Sequence, residues 1–148
     1  MKKQLIVGHF LTLFIGTLMY VLFRNKSILV FDWINSINII RPINYLREMT
    51  IYSKQYLPNW FIFSLPDGLW TFSYVTLVML IWNNEIKRKN IFWLILLPAI
   101  AIISEIGQCL KLFPGTFDLN DILFYILGFI TPLILFKNKQ SQKKTNYV

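Results

Sequence analysis

Four stretches of this chain are too long and too apolar for any soluble core that the remaining residues could build around them. They are residues 5–23, 68–82 with 61–65 leading in, 91–110 and 119–136. A helix needs about 20 apolar residues to cross the roughly 30 Å of hydrocarbon in a bilayer, and these stretches reach or approach that length. Backbone N–H and C=O groups at that depth must be satisfied within their own segment, which favours helices. The chain is therefore read as all-α, a polytopic membrane protein with four transmembrane helices, the second being the shortest. Its charge content agrees: 15% of the 148 residues are charged, against the roughly 25% of an ordinary soluble domain.

Met1-Lys2-Lys3 followed by an apolar run has the look of a secretory leader, but no small-residue cleavage site follows Tyr20 and the next residues are Val21-Leu22-Phe23-Arg24. The run is expected to stay as the first span. No Gly/Ser-rich linker and no internal repeat divides the chain, so one transmembrane domain is expected over residues 1–136, followed by a basic tail over 137–148.

The charges orient the spans. Lys2, Lys3, Lys87, Arg88, Lys89, Lys137, Lys139, Lys143 and Lys144 fall on one side, nine bases with Glu85 as their acidic companion. The other side balances Arg24, Lys26, Arg41, Arg47, Lys54 and Lys111 against Asp32, Glu48, Asp67, Glu105, Asp118 and Asp121, six against six. The net charge of +8 thus resides on one face, which the positive-inside rule makes cytoplasmic, with both termini inside a bacterial cytoplasmic membrane. The basic tail reads as a topology signal and a contact for anionic membrane lipids, and no nucleic-acid partner is implied.

Residues 24–67 form the long outer connection. Ser27 can cap a helix that puts Val30, Trp33, Ile34, Ile37 and Ile40 on one face until Pro42 interrupts it, and a second stretch, 43–56, is rich in Tyr and charge. Together with Trp33, Trp60 and Trp70 these features predict short interfacial helices at headgroup level.

Carboxylates near apolar helices are costly, so they face a partner, a cavity or a ligand. In Ser64-Leu65-Pro66-Asp67-Gly68-Leu69-Trp70, Asp67 is placed to cap the second span, or to join Trp70 at a site. Asp118 and Asp121 have the spacing of an N-cap residue and the acid that reaches back to it. Capping alone would explain both, yet Asp118, Asp121, Tyr125 and Gly128 fall within about 80° of one another around a helix. Pro98, Ala101, Glu105 and Gln108 form a matching stripe on the preceding helix, whose small residues should allow close approach. The short return between these helices puts Glu105 and Asp121 at similar depth, where they repel unless a cation, a proton or an Arg/Lys joins them. A hard cation among these oxygens is chemically reasonable, but no metal site is predicted, since no His/Cys cluster suits zinc. No cofactor motif stands out: there is no P-loop and no nucleophile elbow, and the single histidine, His9, reads as a helix residue of the first span. Cys109 is the only cysteine, so no intrachain disulfide can form.

These last residues resemble the VanZ-like family of small bacterial membrane proteins. Glu105 and Gln108 match its third helix, and Pro114, Gly115, Asp118, Asp121 and Gly128 match its turn and fourth helix. Thr116 and Tyr125 stand where the family usually has Arg and Asn, which removes the obvious counter-charge for the acids and leaves Arg41, Arg47, Lys54 or Lys111 to replace it. The resemblance implies a four-helix inner-membrane protein of the cell envelope, its namesake being associated with resistance to the glycopeptide teicoplanin. Three readings follow. The favoured one is an envelope protein that binds a lipid or cell-wall intermediate headgroup at an outer acidic pocket of Glu105, Gln108, Asp118, Asp121, Tyr125, Asp67 and Trp70. The others are a membrane enzyme or carrier for a lipid-linked substrate, and a structural subunit whose acids only cap helices.

Overall fold

The computed structural model describes residues 1–24, 31, 36 and 40–136. Six helices are described: α1 (Lys2–Phe23), α2 (Ile40–Lys54), α3 (Asn59–Phe63), α4 (Leu65–Ile81), α5 (Arg88–Cys109) and α6 (Leu119–Leu135), with no strand among the described residues. The Ser27-capped helix and the basic tail 137–148 fall largely or wholly outside the described residues.

Among the described residues three segments are long and apolar enough to cross a membrane: Lys2–Phe23, Asn59–Ile81 and Arg88–Cys109. The second does not start at Gly68 as the hydropathy pattern suggested. Instead α3 runs into α4 through Ser64, which keeps helical backbone angles, and the Gly68 N–H donates to the Ser64 carbonyl at 3.2 Å. The fourth apolar helix, α6, has 17 residues and is shorter than the other three. Pro42 also departs from expectation, lying inside the first turn of α2 rather than ending a helix before it. A proline is tolerated there because first-turn N–H groups have no intrahelical acceptor.

Segment 59–81 is the centre of the bundle. Half of its most apolar window is buried, against 17% for α1 and 28% for α5. Helices α1 and α6 pack on α4, and α5 stands further out against α4 and α6. Lipid tails are as apolar as leucine, so helices in a bilayer associate through close packing and polar contacts rather than hydrophobic burial. Both devices occur here. A Cβ placed on Gly128 would lie 2.2 Å from the Gly68 carbonyl oxygen, so α4 and α6 cross backbone to backbone. Between α1 and α4, His9 Nδ1 meets Ser73 Oγ at 2.8 Å and the Ser73 carbonyl at 3.0 Å, and Ser73 Oγ donates back to the His9 carbonyl at 3.1 Å. This reciprocal pair fixes how the two helices face one another.

The turns are built by left-handed stops. At the end of α4, Asn83 (φ 51°) and Asn84 (φ 61°) send their N–H groups back to the Leu80 and Met79 carbonyls. At the end of α5, Lys111 (φ 58°) does the same, with Lys111 N–H on Gln108 O and Leu112 N–H on Gly107 O. These bonds satisfy the last carbonyls of each helix, and asparagine tolerates the left-handed conformation well. Asn90 then starts α5: its Oδ1 accepts from the Lys87 N–H at 2.7 Å and its Nδ2 donates to the Glu85 carbonyl.

Candidate functional site

Asp67 sits in the first turn of α4, but it is not the cap. Ser64 occupies that position, and because α3 leads into α4 without a break there is no free helix end for Asp67 to close. Its carboxylate turns toward α6 instead, where Tyr125 Oη donates to Asp67 Oδ2 at 3.4 Å. Tyr125 lies one turn along the α6 stripe from Asp121, as the helical period requires.

Asp118 caps α6, its Oδ1 accepting from the Asn120 N–H at 2.9 Å. In a capping box the acid at Asp121 would reach back to the Asp118 N–H. Here that N–H goes to another helix: it donates to Glu105 Oε2 at 3.3 Å, and Glu105 is 94% buried, being 6% exposed. Asp121 is thereby released from capping. Its Oδ1 is buried without a hydrogen-bond partner among the described residues, and its charge acts on both Asp67 and Glu105.

The cation that acts on Asp67 was not among those expected. Arg24, at the end of α1, acts electrostatically on Asp67, lies 5.3 and 5.0 Å over the Tyr20 and Phe63 rings, and donates to the Phe63 carbonyl at 3.4 Å. Arg47 and Lys54 are engaged elsewhere, closing the last carbonyls of α1: Arg47 donates to Val21 O and, at 2.6 Å, to Arg24 O, while Lys54 donates to Phe23 O at 3.0 Å. Cations at a helix C-terminus also complement its dipole. Thr116 is exposed on the return loop.

Two expected members stand apart. Trp70 faces α1, its Nε1 donating to Thr17 Oγ1 at 3.3 Å and its ring 5.1 Å from that of Tyr20. The separation follows from rotation, since residues three apart on a helix differ by about 60°. Gln108 covers the return loop; a Cβ on Gly115 (φ 138°) would lie 2.7 to 2.9 Å from its side-chain atoms. Asp67, Glu105, Asp121 and Tyr125 thus form the group, with Asp118 at its edge. Among the described residues no three His, Cys, Asp or Glu side chains come together as a metal ion requires.

Arg24 and Ser64 escaped the sequence reading. Ser64 is fully buried, and neither its Oγ nor the buried Arg24 Nε has a hydrogen-bond partner among the described residues. The signal for Arg24 was its depth, at the end of a span antiparallel to the one that begins beside Asp67.

Beside this group, α5 and α6 do not close on one another. An apolar crevice of about 260 Å³ lies between them, lined by Ile95, Pro98, Ala99 and Ile102 of α5 and Tyr125, Ile126 and Phe129 of α6. Pro98 lines this crevice, while Gly128, the small residue of the α6 stripe, meets the Gly68 carbonyl of α4.

Comparison with protein-family models, with curated proteins and with solved structures returns no match to this chain. Its function is therefore read from the residues themselves.

Proposed function

We propose that this chain is a VanZ-like protein of the bacterial cytoplasmic membrane that holds a lipid or cell-wall intermediate headgroup at its acidic end and alters glycopeptide susceptibility. In this reading α6 is the fourth span, both termini are cytoplasmic, α2 lies at the outer interface, α3 forms the outer end of the second span, and Asp67, Glu105, Asp121 and Tyr125 open outward. The observation that carries it is the release of Asp121 from capping. A carboxylate whose capping duty has been taken by Glu105, and which keeps a buried oxygen with no hydrogen-bond partner among the described residues, is better suited to a ligand than to the fold.

The test pairs membrane abundance with teicoplanin susceptibility, using a deletion strain as reference. Glu105→Gln and Asp121→Asn should leave the protein inserted at wild-type abundance and give the deletion phenotype, because each keeps shape and removes charge. Asp118→Asn should be milder, since asparagine caps a helix well. Wild-type behaviour of both Glu105→Gln and Asp121→Asn would defeat the headgroup reading and leave a structural subunit whose acids only organise helix ends.

A further inference from the structure

We infer that the crevice between α5 and α6 receives one acyl chain of an amine-bearing membrane lipid, whose head lies against Asp67 and Asp121. The inference deepens the headgroup reading above and rests on it for the position of the head. Three observations carry it. The first is the lining: every side chain around the 260 Å³ crevice is aliphatic or aromatic, and Tyr125 is the one that carries a polar atom. The crevice is open along one side, with Ile95 and Ile126 exposed, and between two apolar helices in a bilayer the matching filler is a lipid tail. The second is continuity. The ring of Tyr125 walls the crevice while its hydroxyl donates to Asp67 at 3.4 Å, so the apolar space and the carboxylates share a wall. An amphiphile fits that arrangement; a wholly apolar ligand would leave the Asp121 oxygen unpaired. The third is charge. Asp67, Glu105 and Asp121 act on one another with Arg24 as the opposing cation, and this excess of carboxyl groups favours a headgroup that ends in a primary amine.

The experiment uses the full chain reconstituted in phosphatidylethanolamine/phosphatidylglycerol vesicles, with a trace of phosphatidylethanolamine carrying a diazirine on one acyl chain. After illumination, label mapped by mass spectrometry should be at least fivefold denser on Ile95, Ala99, Ile102 and Ile126 than on Phe10 and Phe14, which face outward from α1. Ala99→Trp, filling the crevice, should cut that label at least fivefold and leave Phe10 and Phe14 unchanged. Should Ala99→Trp fail to insert, Ile126→Cys in a Cys109→Ser background, blocked with a bulky maleimide after purification, supplies the same obstruction to a folded protein. Even labelling of both faces, label indifferent to obstruction, or a second copy cross-linked through the crevice would overturn the inference. The head is tested separately: a phosphatidylglycerol probe with the same chain should label the crevice at least threefold less, and Asp121→Asn should remove the difference. Equal labelling by both lipids in the wild type overturns the amine assignment. Obstructable label that persists while Glu105→Gln and Asp121→Asn keep a wild-type phenotype would retain the chain site and defeat the headgroup function alone.

Discussion

At the end of the bundle formed by the turn between α4 and α5, Asn84 and Asn90 are buried and bonded to backbone: Asn84 to the distant Phe136 carbonyl, Asn90 to Lys87 and Glu85 of the adjoining turn. No buried side-chain atom of either is left unpaired. At the opposite end, where α1 finishes and α4 and α6 begin, Arg24 Nε, Asn44 Oδ1, Ser64 Oγ and Asp121 Oδ1 are all buried without partners among the described residues. The same chain satisfies its polar groups at one end and leaves them open at the other. Buried polar atoms are normally paired, and departures from that rule concentrate where a protein acts. The difference teaches that polarity at the asparagine end serves the turn, whereas polarity at the acidic end exceeds what the turn requires.

The contrast can be broken by mutation. The largest effect should come from neither end but from the crossing that joins them: Gly128→Val drives a side chain into the Gly68 carbonyl and should cost about 3 kcal/mol, read as lost membrane yield and a lower unfolding temperature in detergent. Asn84→Ala comes next. It removes the bond to Phe136 and strains a left-handed residue, for an expected loss of about 2 kcal/mol, read in the same melts. The smallest change belongs to the acidic end, where Asp121→Asn should move stability by no more than about 0.5 kcal/mol, since no hydrogen bond of the Asp121 Oδ1 is lost. If Asp121→Asn destabilises as much as Asn84→Ala, the two ends are alike and the acids are structural.

The helices and the acidic end were visible in the residues, while the asparagine end was not read from them. Apolar length marked the helices, Asp118 announced the start of α6, and the stripe of Asp121, Tyr125 and Gly128 predicted one inward face. What the period could not supply was the neighbour that each face meets. The α6 stripe was matched to α5, yet Gly128 rests on α4 and Tyr125 bonds to Asp67. Glu105 taking the Asp118 N–H is a contact between helices, invisible to spacing along either one, and so the box-like spacing of Asp118 and Asp121 pointed to a bond that another residue makes. Trp70 was grouped with Asp67 because they are near in sequence; a rotation of about 60° sends it to α1. Arg24 was counted as one of six balancing outer charges, and only its position over Tyr20 and Phe63 distinguishes it.

The reciprocal bonds between His9 and Ser73 bear on the order in which the molecule is assembled. Both residues belong to the first 81 positions, so the α1–α4 pairing can be complete before α5 and α6 have left the ribosome. A slip of either helix by one turn, about 5.4 Å, would break the set together, making it a register key for the early half. Helix α6 then meets that pair at Gly68, and α5 is tied to α4 by a single-sided bond, Tyr74 Oη donating to the Trp93 carbonyl. The register of the early half is thus set before the residues that line the α5–α6 crevice are made.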